Sequence, residues 1–224
     1  MRYSLILMDA DDTIFDFQAG NRKAVGMLME ELGLSSPTVF EEYQQINHAC
    51  WQALERGEMD QETLHVERFR RFLRMKGRAD DPKRVADRFA VLLGQQAIPL
   101  PNAEETVEKL AREREIVILT NGITPIQKSR MARSPVQNWI SRMVISQEVG
   151  VSKPDPRIFE IAMGNTPREK VLMIGDGLQS DVRGANNAGV DVCWFNPLKK
   201  PLPNDLHTDY EIHDIRDCLP IALS

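Results

Sequence analysis

The chain has 224 residues, enough for one domain or a domain with a small appendage around a substantial core. Its 42% hydrophobic and 27% charged content is that of an ordinary soluble globular protein, and a net charge of −5 gives no reason to expect a nucleic-acid polymer as partner. No run of about 18 consecutive apolar residues occurs, so no membrane span is expected. Cys50, Cys193 and Cys218 form no C-x-x-C pair, which argues against a disulfide framework and fits a reducing compartment. The first apolar run is too short for a signal segment and has no cleavage site, so a cytoplasmic location is expected. His48, His65, His207 and His213 are scattered without zinc-ligand spacing.

Leu5-Ile6-Leu7-Met8 reads as a short buried strand and runs directly into Asp9-Ala10-Asp11-Asp12-Thr13. Two carboxylates two residues apart at a strand end are costly to pack unless a divalent cation or a shared proton relieves them. A calcium loop does not explain them, because Ile14 stands where that loop needs Gly and Gly20 where it needs Glu. The strand pattern then stops. Phe17, Asn21, Ala24, Leu28 and Leu32 recur at helical spacing, as do Phe40, Tyr43, Asn47, Trp51 and Leu54, and further helices are expected over about 60–76 and 82–96. Arg68, Arg70, Arg71, Arg74, Lys76 and Arg78, interleaved with apolar residues, read as a solvated helix face.

Ile98-Pro99-Leu100-Pro101 breaks the helical pattern, and Asn102 with Glu105 suggests a capped helix leading into the second strand. Strands are expected near 116–119, 143–145, 171–174 and 191–195, alternating with helices. Thr124-Pro125 and Asp155-Pro156 each place a capping residue before a proline suited to a first helical position. The strand near 116–119 ends in Thr120-Asn121-Gly122, and that near 171–174 ends in Gly175-Asp176, with Asp181 following. Lys153 lies between them in the proline-stiffened loop Ser152-Lys153-Pro154-Asp155-Pro156. The expected fold is therefore α/β, a doubly wound and mainly parallel sheet with an all-helical insertion after the first strand.

These four ordered motifs resemble those of the haloacid dehalogenase superfamily of phosphotransferases. Within it, Asp9-Ala10-Asp11-Asp12-Thr13-Ile14-Phe15, Ile118-Leu119-Thr120-Asn121-Gly122 and Ile145 to Pro154, with Asn47 and Trp51, look most like the bacterial pyrimidine 5′-nucleotidases. The resemblance implies a Rossmann-like core of residues 1–15 and 97–224, with residues 16–96 as a helical cap over the active site. It implies Asp9 as nucleophile forming an aspartyl-phosphate, and Asp11 as the acid and then the base. Thr120 and the backbone around Asn121 and Gly122 would bind phosphoryl oxygens, and Lys153 would neutralise charge. The dehalogenase chemistry of the same superfamily does not use the second aspartate, so Asp11 marks a phosphatase.

Asp9, Asp11 and Asp176 carry about −3 when ionised and a phosphate monoester brings about −1.5 to −2 more, which Lys153 alone does not offset. Mg²⁺ suits such an oxygen-only site. The resemblance gives Asp9, Asp176 and the Asp11 backbone carbonyl as ligands, with Asp181 orienting a bound water or Lys153. The expected partner is a small phosphorylated metabolite, a nucleotide in the first reading, bound by a monomer or homodimer. Asn21, Asn47 and Trp51 are the candidate base contacts, since an amide both donates and accepts as a uracil ring requires. Ser134-Pro135 and the short segment 162–170 depart from the subgroup pattern. The alternatives are a sugar-phosphate or other small-metabolite phosphatase on the same motifs, and a non-enzymatic phosphate- or metal-binding regulatory module on the same fold.

Overall fold

The structure is a computed structural model that describes residues 2–224. Six strands form one sheet: β1 (Leu5–Met8), β2 (Glu115–Thr120), β3 (Arg142–Ile145), β4 (Val171–Gly175), β5 (Asp191–Phe195) and β6 (Tyr210–Ile212). Their order is β3-β2-β1-β4-β5-β6 and every pairing is parallel. All four residues of β1 are buried, as expected of a central parallel strand covered on both faces.

The register decides where the motifs meet. Met8 pairs with Ile118 on one side and Ile174 on the other. Asp9, Thr120 and Asp176 therefore leave the sheet at the same edge, within a residue or two of one another. Chain direction across the sheet reverses between β1 and β4, and the crevice outside the strand ends at such a point is where open α/β sheets bind ligands.

Alternate strand residues serve separate cores. Ile6, Met8, Ile116, Ile118, Leu172 and Ile174 pack with α5 (Ala103–Ala111) and α10 (Cys218–Ala222). Leu5, Leu7, Val117, Leu119, Val171 and Met173 pack with α8 (Pro156–Met163) and α9 (Arg183–Ala188). Between β1 and β2 lie α1 (Phe17–Glu31), α2 (Val39–Glu55), α3 (Gln61–Met75) and α4 (Pro82–Gly94) before α5. These four share a third core around Tyr43, Phe69, Phe72 and Phe89, which also takes in Ile123 and Ile126 at the start of α6 (Thr124–Met131). The short α7 (Ser146–Val149) follows β3. No helix among the described residues is long and apolar enough to cross a membrane.

Four local expectations change. The sequence pattern does not suggest β6, because three residues, of which Ile212 is buried, leave no apolar run to read. Asn102 does not cap α5: its φ is 66°, in the left-handed region, and its side chain makes no capping bond. Thr124 is the first residue of α6, not its cap, and its hydroxyl has no partner, whereas Asp155 does cap α8 by accepting from the Arg157 N–H. Arg68 is not on a solvated face; at 4% exposure it is buried in α3, while Arg70, Arg71 and Arg74 are exposed.

Candidate active site

The site is built from the strand ends upward. Lys153, 4% exposed, donates through Nζ to Asp9 Oδ1 at 2.5 Å, Asp181 Oδ1 at 2.6 Å and the Leu119 carbonyl at 2.7 Å. All three ammonium donors are thereby used. Asn121 fixes the backbone at the same residue, its amide donating to the Lys153 carbonyl and accepting from the Lys153 N–H, both at 2.8 Å. The Asn121 side chain thus orients Lys153, and only the backbone of the Asn121-Gly122 turn is left for an anion. Thr120, buried, ends β2 beside it.

Asp181 stands in a π-helical turn at Leu178–Val182 and accepts from the Gly177 N–H at 2.9 Å. Gly175 is required by this approach, since a Cβ there would lie 2.3 Å from Asp181 Oδ2. An oxygen from each of Asp9, Asp176 and Asp181 lies within 4.8 Å of the others. Asp181 therefore joins the acidic group itself besides orienting Lys153. The Asp176 carbonyl accepts from the buried Trp194 indole at 3.0 Å, which steadies the loop after β4.

The electrostatics of this group are unbalanced. Burial holds Asp9 well above the usual carboxylate range; Lys153 pulls it back, while Asp181, Asp176 and Asp11 push it further up. Burial also raises Asp176 to about 7, helped by Asp181 and Asp12 and opposed by Lys153 and Lys200. Lys153 is raised, because Asp181 and Asp9 outweigh the burial that alone would lower it. Like-charged oxygens gathered at one point, with one ammonium among them, suit a hard divalent cation.

Asp11 is arranged differently. Its carboxylate turns to α6, where Oδ1 forms an ion pair with Arg130 and Oδ2 accepts from Gln127 at 2.7 Å. Gln127 and Arg130 were not foreseeable as site residues: a Gln and an Arg on a short helix read as solvated, yet both are buried. Asp12 has φ 58° and accepts from the Phe17 N–H and the Gln18 amide at 3.0 and 3.2 Å, tying the motif to the start of α1.

Of the candidate base contacts, Asn21 is buried in α1 and Trp51 half-buried in α2. Asn47 is held by its own surroundings, accepting from Arg68 at 3.1 Å and donating to Gln44 at 3.5 Å. The start of α3 meets the start of α7, ahead of the Lys153 loop: Gln61 donates to the Ser146 hydroxyl at 3.0 Å. Leu54, Gln61, Gly150 and Ser152 are among the residues around a cleft of about 570 Å³ at this junction.

A family model of haloacid dehalogenase-like hydrolases matches residues 3–189. The chain is 33% identical to the pyrimidine 5′-nucleotidase PynA of Streptococcus pneumoniae, over 98% of this chain and 96% of that protein. It is 28% identical to the pyrimidine 5′-nucleotidase YjjG of Escherichia coli, over 97% and 96% respectively. Among solved structures, YfnB of Bacillus subtilis, in a magnesium-bound crystal form described as revealing interdomain movement, superposes with a TM-score of 0.91. It is 28% identical to this chain, and 99% of each chain is covered.

Proposed function

The chain belongs to the haloacid dehalogenase-like hydrolase family, and from that premise we propose that this phosphatase hydrolyses pyrimidine nucleoside 5′-monophosphates through an aspartyl-phosphate on Asp9. The observation that carries the reading is the separation of the acidic residues. Asp9, Asp176 and Asp181 converge, while the Asp11 carboxylate is held apart by α6. A nucleophile belongs with the charge-neutralising group, and an acid–base residue must keep its carboxylate free of it.

Lys153 holds Oδ1 of Asp9, leaving Oδ2 for attack on phosphorus. As the Asp9–phosphorus bond forms, the ester P–O bond breaks, and Asp11, which enters this step as the carboxylic acid, gives the leaving alkoxide its proton. Asp11, now a carboxylate, takes a proton from the water that attacks the phosphoryl-aspartate, and the P–O bond to Asp9 breaks to release phosphate. Thr120 and the N–H groups of the Asn121-Gly122 turn hold phosphoryl oxygens through both steps. Asp9, Asp176 and the Asp11 carbonyl would hold a Mg²⁺ ion, with Asp181 available to the same group, and the ion would supply electrostatic stabilisation of phosphoryl charge. The four helices of residues 16–96 form the cap over this site. Asn21 and Trp51 select the base, and Asn47 holds Arg68 in place.

The test is phosphate release from UMP, dTMP, purine nucleotides and hexose phosphates, with Mg²⁺ and with EDTA. UMP and dTMP should be cleaved best, and EDTA should abolish the activity. Hexose phosphates dominating the panel, or turnover indifferent to metal removal, would overturn the reading.

A further inference from the structure

Arg130 and Gln127 sit one turn apart on α6 and aim donors at opposite oxygens of Asp11. Both are buried, at 1% and 2% exposure, although Asp11 itself keeps 27% of its side chain exposed. The Arg130 guanidinium lies 4.7 Å from the Phe15 ring centre and 5.9 Å from that of Phe17, so aromatic side chains following Asp11 pack near it. Its Nε has no partner, so within the described residues the ion pair with Asp11 is its principal polar contact. Gly122 makes the arrangement possible: a Cβ there would lie 2.3 Å from Gln127 Nε2. One function of the glycine in Thr120-Asn121-Gly122 is thus to let the Gln127 amide pass to Asp11.

Neighbouring residues of α6 are committed elsewhere. Ile123 and Ile126 enter the core of α1–α4, and Ser129 lies against Gly94, where a Cβ would stand 3.0 Å from the serine Cβ. The helix that orients Asp11 is therefore wedged between the turn after β2 and the helical layer. A solvent-accessible carboxylate needs no buried partner to be stable, and buried ion pairs are weak stabilisers. What a rigid guanidinium and an amide from one helix do supply is a fixed direction for the carboxylate plane.

We propose that Arg130 and Gln127 are positioning residues that set the orientation of Asp11 for proton transfer. This rests on the reading of Asp11 as acid–base. The experiment compares kcat/KM, which reports steps up to phosphoryl transfer, for UMP and for para-nitrophenyl phosphate. An alkoxide must be protonated as it leaves, whereas para-nitrophenolate leaves with little help. Arg130→Met should lower kcat/KM for UMP about 10²-fold and that for para-nitrophenyl phosphate by no more than about threefold. Arg130→Lys should recover part of the loss, because the charge returns without the fork. Gln127→Leu, which keeps the ion pair, should show the same selectivity at smaller size and serves if Arg130→Met does not fold. Added to Asp11→Asn, Arg130→Met should cause no further loss on UMP, since its effect passes through Asp11. Equal losses on both esters, or losses that multiply in the double variant, would overturn the proposal. If Asp11→Asn itself spares UMP and para-nitrophenyl phosphate alike, the acid–base reading fails instead.

Discussion

Two regions bury charge, and they do so in opposite ways. At the strand ends, Lys153 is satisfied by two carboxylates and a carbonyl, and those carboxylates crowd a third. In the helical layer, Arg68 is equally buried but meets the Asn47 carbonyl and the rings of Phe69 and Phe89, at 5.2 and 5.0 Å. Its Nε and Nη2 have no partner. A buried cation among aromatic rings can be part of a core. Several buried carboxylates around one ammonium raise each other's pKa and are hard to explain as packing. Burial of a polar side chain therefore does not mark a site by itself; excess like charge does.

The largest expected effect tests the strand-end side. Asp9→Asn should leave no measurable phosphate release from any ester, yet its thermal midpoint in EDTA should equal or exceed that of the unmodified protein. The substitution removes one of the crowded carboxylates while Lys153 keeps Asp181. Retained turnover, or a clear drop in the midpoint, would contradict the picture of a crowded group built around a nucleophile.

A second effect follows from Asp176. Its pKa rises from 3.8 to about 7 on folding, so the metal-free folded state binds the extra proton between those values. That contribution to stability is complete below pH 3.8 and is lost as pH rises through about 7. Mg²⁺ competes with the proton, so its stabilisation should grow over the same window. At one fixed concentration, about 100 times its Kd at pH 8, Mg²⁺ should raise the midpoint by about 5–11 °C at pH 8, and by less at pH 5.5. A shift at pH 5.5 as large as that at pH 8 would remove Asp176 from the metal site.

The smallest effect lies in the helical layer. Asn47→Ala leaves Arg68 Nη1 without its acceptor, at a cost of about 1–3 kcal/mol, or about 2–12 °C in thermal midpoint. Turnover of UMP and of para-nitrophenyl phosphate should change by the same factor. A selective loss on UMP with an unchanged midpoint would make Asn47 a base contact and erase the contrast between the two regions.

The sequence by itself determined five of the six strands and the candidate motif set. Leu5–Met8 before Asp9, Ile116–Leu119 before Thr120 and Val171–Ile174 before Gly175-Asp176 are each written within a few residues. Parallel pairing then brings such strand ends to one edge. Periodicity likewise showed helices in residues 16–96, because burying one face imposes a repeat that neighbours share. Tertiary structure alone decided which polar groups meet. Gln127 and Arg130 reach Asp11 across 116 and 119 residues, Asn121 meets Lys153 across 32, and Arg68 turns inward from a stretch that reads as solvated. Hydrogen bonds and ion pairs reward particular distances between particular atoms, and no local repeat encodes them, so these partners became visible only once the chain was packed.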